Sequence, residues 1–279
     1  MNSEQRRADT RIVSRLILYF VLLLTVYPIL FVMLTSLKST TEFYVNIWGL
    51  PKSPHWHNFY EAWVTAHIGQ YFMTSGIVVS LTVVFIVIFG SLSGYALAKL
   101  DIPFAEIIMF SIIVTLMFPS ESTIMPLYIV MTKLHLANSY LTLIIPYIGW
   151  GLPISIYIFK SFFSTLPGEL IESARVEGSG EIRTFAQIVM PLMMPAVATV
   201  SIFNFVSWWG ELIWANTALA VASQIRTLPM GILTFQSQFA TDWGPLSAAM
   251  CIVLLPLIIF FVFVQKYFIQ GITGGAVKG

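Results

Sequence analysis

Charged side chains are scarce in this sequence: 14 Lys+Arg and 13 Asp+Glu among 279 residues, or 10% of the chain. Soluble chains carry about 25%, and so small a charged fraction cannot cover a globule of this size with polar surface in water. Cys251 is the one cysteine, which excludes an internal disulfide framework and any multi-cysteine zinc or iron–sulfur centre. Positive charge is not in excess either. A net charge of +1 leaves no Lys/Arg stripe to neutralise a run of phosphates, so nucleic acid is excluded as a partner. The sequence contains no GxxxxGK[ST] loop and so has no phosphate cradle of that kind for ATP. His55, His57, His67 and His135 lack acidic or cysteine ligands at a supporting spacing, and no metal site is expected. No nucleophile and base pair up by spacing, and neither paired acids nor a metal cluster stands near a span end. A membrane-embedded enzyme is therefore disfavoured.

What is present is apolar: hydrophobic residues make up 57% of the chain and its mean hydropathy is +0.84. A bilayer core about 30 Å thick needs about 20 apolar residues in a helix. Reading the stretches between formal charges that way predicts six spans, at about 16–37, 72–98, 107–132, 141–163, 187–210 and 245–265. The fold expected is an all-α polytopic membrane protein, with a tail over 1–15, one transmembrane domain over 16–265 and a second tail over 266–279. A β-barrel is a poor alternative, because barrels show short alternating segments rather than apolar runs such as that from Ile77 to Phe89. The first run is longer than a signal-peptide core and no A-x-A-like cleavage site follows it, so it reads as a retained helix. Arg6, Arg7, Arg11, Arg15, Lys99, Lys160, Arg175, Arg183, Lys266 and Lys278 fall on the side of the termini. Only Lys38, Lys52, Lys133 and Arg226 fall opposite, and this bias predicts cytoplasmic termini. Gly90 and Gly94 form a small-xxx-small step in the second span, which serves close helix packing or a hinge.

Three segments can carry chemistry. Glu121 is the one formal charge deep inside an expected span, away from its ends, and lies between Pro119 and Pro126. An acid at that depth must face protein, water or cargo rather than lipid, as a polar strut held by Ser120, Ser122 or Thr123 or as part of a solute path. Trp208, Trp209, Glu211, Trp214 and Asn216 combine flat rings with hydrogen-bonding groups near the outer end of the fifth span. That mixture suits sugar stacking, and it equally suits an interfacial Trp belt. The third segment runs from Leu166 to Arg183. Pro167 fits a first helical turn, Glu169 and Glu172 favour its N-terminal end, and Gly178 stands where a left-handed C-terminal residue belongs. Ser179 is then placed to cap a second short helix. Such an elbow is a solvated connector or a docking knob.

Glu172-Ser173-Ala174, three residues, Gly178, nine residues, Ile188, one residue and Met190-Pro191 resemble the E-A-A-x3-G-x9-I-x-L-P signature of permease subunits of binding-protein-dependent ABC importers. Ser173 and Met190 are mild departures. The stretches from Pro119 to Tyr128, Trp209 to Trp214, Thr241 to Gly244 and Gly271 to Gly279 are similar to the carbohydrate-uptake branch, and to the second, six-helix permease of maltose-type systems. Where that branch usually has Trp-Asn and an acid, this chain has Trp209-Gly210-Glu211. The resemblance implies a type I importer bundle in a prokaryotic cytoplasmic (inner) membrane, importing a sugar, in particular an oligosaccharide, by alternating access. Its partners would be a second homologous permease, two copies of an ABC ATPase that hold ATP and Mg, and an extracytoplasmic sugar-binding protein. Residues 166–183 would form the coupling loop, with Glu172, Ser173, Ala174, Arg175 and Gly178 meeting the ATPase. Ser223 and Gln224 would reach toward the binding protein. The alternative is a secondary-type solute carrier using Glu121, although such a carrier wants several ionisable groups at mid-membrane and this sequence offers one.

Overall fold

A computed structural model describes the backbone of residues 3–219, 225–235 and 241–276 and the side chains of 12–219, 225–235 and 241–266. Ser223 and Gln224 lie outside the described residues. In chain order the helices are α1 (Ser3–Thr35), α2 (Thr40–Val45), α3 (His57–Tyr60), α4 (Ile68–Lys99), α5 (Ala105–Thr115), α6 (Ile124–Lys133) and α7 (Leu141–Ser164). They are followed by α8 (Glu169–Val176), α9 (Glu181–Thr184), α10 (Met190–Leu192), α11 (Met194–Trp209), α12 (Ile213–Ala218), α13 (Leu228–Ile232) and α14 (Trp243–Ala276). Among the described residues there is no β-strand, and the protein is an all-α polytopic membrane protein.

Among the described residues, four stretches are long and apolar enough to cross a bilayer as single helices: Ile12–Thr35, Ile68–Lys99, Leu141–Ser164 and Trp243–Lys266. The third and fifth expected spans are broken instead. Ala105–Thr115 meets Ser120–Lys133 at 88°, and Glu181–Leu192 meets Met194–Trp209 at 77°. Proline accounts for both breaks, since it has no N–H for the helical ladder. Pro119 is extended (φ −64°, ψ 132°) ahead of a 3₁₀ turn over Ser120–Thr123. Pro191 and Pro195 stand on either side of the bend at Met193.

The chain divides into two compact units. One comprises Met1–Gly69 and Ile232–Leu255. In it Ser39 opens α2 by accepting a hydrogen bond from the Glu42 N–H at 3.1 Å. Lys38, one of the four cations read on the side opposite the termini, is only 1% exposed. Its ammonium donates to the carbonyls of Asn46 at 2.8 Å and Ile47 at 2.9 Å. The buried Asn58 amide donates to the carbonyls of Ser36 and Lys38, so irregular backbone here is satisfied by the side chains of Lys38 and Asn58.

The other unit comprises Gln70–Gly231 and Pro256–Gly279. Here the small-residue step is a packing contact: a Cβ added at Gly94 would lie 2.6 Å from Phe159 Cβ and 2.9 Å from the Lys160 backbone nitrogen. Two buried clusters result. One gathers Tyr95, Phe159, Phe163, Ile171 and Val189; the other gathers Val78, Leu143, Tyr147, Trp214 and Met230. Each borders one of the candidate sites.

Candidate functional site

The elbow follows from helix-end chemistry. Helix α8 stops because Gly178 takes φ +80°, a conformation that a side-chain-bearing residue adopts only at a cost. The Gly178 N–H donates to the Arg175 carbonyl at 3.0 Å and the Ser179 N–H to the Ala174 carbonyl at 2.9 Å, the pairing of a Schellman motif. Gly180, not Ser179, occupies the cap position of α9; it is extended (φ −72°, ψ 158°) and makes no side-chain cap. The Ser179 hydroxyl is instead taken by Thr184, whose Oγ1 donates to it at 3.0 Å.

Arg175 pairs with Glu181 across the elbow at 2.7 Å, and the Tyr95 hydroxyl donates to the same carboxylate at 3.3 Å. The hydrogen bond and charge of Glu181 hold the Arg175 guanidinium above its ordinary pKa. Ile171 and Ala174 face inward, Ala174 being 4% exposed, whereas Glu172, Ser173 and Gly178 face out. Val176 is 88% exposed and Ile182 85% exposed. The outer face of the elbow therefore combines acids with two bare aliphatic side chains, a feature invisible to motif spacing.

The second site is a recess at the break between α5 and α6. Glu121 lies in the 3₁₀ turn rather than inside a helix and is exposed; the neighbouring Thr123 hydroxyl donates to the Ser120 carbonyl at 2.7 Å. A hollow of about 250 Å³ is lined by Glu121, Trp150, Trp208, Glu211 and Trp214 among others. A second, of about 590 Å³, shares Ser120, Glu121, Trp150 and Trp208 with it and extends along Pro153 and Ser207. The wall is an aromatic stack of Trp residues, backed by the buried Tyr147. Tyr147 and Trp208 lie 4.7 Å apart at 14°, Trp150 and Trp208 6.2 Å apart at 25°, and Trp214 meets Trp150 edge-on at 87°.

Polar contacts hold Trp208, Trp214 and Tyr147 in place. The Trp208 indole N–H donates to Asn204 Oδ1 at 3.2 Å, and the Asn204 amide donates to Ser155 Oγ at 2.9 Å. The Trp214 indole donates to the Thr142 carbonyl at 3.0 Å. Glu211 accepts the Tyr147 hydroxyl and the N–H groups of Trp214 at 2.6 Å and Ala215 at 3.1 Å. It thereby ties α7 to the first turn of α12. Gly151 makes room for this arrangement, since a Cβ there would lie 2.5 Å from Asn204 Oδ1.

Of the residues singled out from sequence, Glu121, Trp208, Glu211 and Trp214 come together in the recess. Trp209 does not join them: at 2% exposure it packs on Phe205 and Phe72, a different face of α11 from that of Trp208. Asn216 is exposed and is absent from the lining of both hollows. Tyr147, Trp150, Asn204 and Ser155 escaped sequence reasoning. Asn204 carried a usable signal, as the one amide in the interior of an expected span rather than at its end, and Trp150 sits among Gly149, Gly151 and Pro153, where a thin helix leaves space. Among the described residues no group of three or more His, Cys, Asp or Glu is placed to hold a metal.

Residues 86–274 match the family described as binding-protein-dependent transport system inner membrane component. The chain is 32% identical over 262 residues to a probable ABC transporter permease protein, YurM, of Bacillus subtilis, covering 94% of this chain and 87% of that one. It is 31% identical over 253 residues to the melibiose/raffinose/stachyose import permease protein MelC of the same species, covering 90% and 91%. The crystal structure of a bacterial ABC transporter involved in the import of the acidic polysaccharide alginate contains a chain of the same fold, with a TM-score of 0.80 at 22% identity over 96% of this chain and 99% of that one.

Proposed function

From the premise that this chain belongs to the family of binding-protein-dependent transport system inner membrane components, we propose that it forms half of the path of an ATP-driven oligosaccharide importer. Family and fold decide for a multi-pass permease subunit of an ABC importer and against a self-sufficient secondary carrier. The cargo rests on one observation above all: the Trp150 and Trp208 rings that line the recess beside Glu121, with the buried Tyr147 stacked on Trp208. Flat rings take the C–H faces of sugars, and a carboxylate accepts from their hydroxyls.

The elbow docks an ABC ATPase, one of two copies, which hold the ATP and Mg. Glu172 meets a basic group there, Val176 and Ile182 enter an apolar cleft, and Ala174, Arg175 and Gly178 keep the elbow in shape for the contact. A second, homologous permease completes the path, and an extracytoplasmic sugar-binding protein delivers the cargo. The termini and the elbow lie on the cytoplasmic side, as the Lys/Arg distribution supports. ATPase closure moves the elbow and swings the bundle between outward- and inward-open states.

One reconstitution tests both halves. Purified complexes in proteoliposomes are assayed for ATPase association and for uptake of raffinose, maltotriose and chitotriose. Trp208→Ala keeps the ATPase and loses about tenfold of uptake; Glu172→Lys loses the ATPase itself. Unchanged uptake in the first variant sinks the sugar path, and intact association together with unchanged uptake in the second sinks the docking role.

A further inference from the structure

The recess carries charge of one sign only. Around the two hollows the lining includes two carboxylates, Glu121 and Glu211, and no lysine, arginine or histidine among the described residues. The two acids differ in how they are engaged. Glu211 is committed to structure by the Tyr147 hydroxyl and two backbone N–H groups. Glu121 is exposed on the shared wall of both hollows, and no hydrogen bond or ion pair from the described residues engages its carboxylate. It is left to meet whatever enters.

A neutral sugar suits such a wall, because each hydroxyl can donate to a carboxylate while the ring lies on Trp150 or Trp208. An anionic sugar does not. Its own carboxylate or sulfonate has no proton to donate, it would lie against negative charge between low-dielectric aromatic walls, and this chain supplies no guanidinium or ammonium there to receive it. Rejection by an unpaired like charge is a sufficient device for discrimination where attraction alone would be indifferent.

We propose that this recess selects neutral oligosaccharides and excludes anionic ones, with Glu121 as the excluding charge. The inference rests on the reading of the recess as the sugar path and adds the class of sugar that the path accepts.

The test is direct titration of the complete permease–ATPase complex in nanodiscs, without the binding protein, following Trp fluorescence. Raffinose, maltotriose and chitotriose are the neutral probes and trigalacturonate the anionic one. The expected result is that at least one neutral probe binds at least about tenfold more tightly than trigalacturonate. Glu121→Gln should shrink that ratio and Glu121→Lys should abolish or invert it. Equal binding of trigalacturonate to the unaltered complex overturns the inference, as does a ratio that both variants leave unchanged. If none of the probes binds, the sugar-path reading itself has failed and this inference falls with it. If trigalacturonate alone binds, the path reading survives and the inference does not.

Discussion

The elbow and the recess are built on opposite plans. The elbow is contiguous in sequence, mostly exposed, and holds its shape through one left-handed glycine and one surface ion pair. The recess is assembled from three separate stretches, around Glu121, from Tyr147 to Pro153, and from Asn204 to Trp214, and it holds its shape through buried side-chain hydrogen bonds and ring stacking. Even their glycines differ. Around Gly178 an added Cβ meets nothing within 4 Å and only the backbone angle demands glycine, whereas at Gly151 the space itself is taken. A site that must be gripped can be local and tolerant; a site that must hold rings in a fixed relation cannot.

Substitutions at these positions test that contrast. Gly151→Leu drives carbon into Asn204 and Ile86 and is expected to destabilise the fold by about 3 kcal/mol, lowering the yield of monodisperse protein and its melting temperature in detergent. Gly178→Ala adds no clash and costs about 1 kcal/mol through its left-handed backbone, seen as about a fivefold weaker association with the ATPase and no change in the stability of the recess. If the two variants melted alike, the distinction between a space-limited and an angle-limited glycine would be wrong. Arg175→Gln stands at the small end. Its partner Glu181 is about as exposed as it is, so the melting temperature should stay put, and only the salt dependence of ATPase association should flatten. A large loss of stability there would show the elbow to be held more rigidly than its exposure implies.

Legibility follows the same division. The elbow could be read because helix-end signals act over a few residues: Gly178 and the acids near the start of α8 announce themselves locally. Its one misplacement, Ser179 as a cap, arose because the turn geometry after Gly178 hands that position to Gly180. The apolar spans were legible as composition, but the 88° and 77° breaks were not, although Pro119, Pro191 and Pro195 marked them. The Trp pair was half legible. Neighbouring residues on a helix face different ways, so Trp208 and Trp209 could not both line one hollow, yet periodicity alone does not say which does. Tyr147 and Trp150 stood outside any motif because their relation to Trp208 is purely tertiary.

The sequestered ammonium of Lys38 has a practical corollary. Because its nitrogen is shut away against two carbonyls while Lys52 lies in the open, an amine-reactive reagent applied to native protein should modify Lys52 and spare Lys38. Acylation at Lys38, read by mass spectrometry, thus becomes a clock for how often that corner of the molecule comes apart.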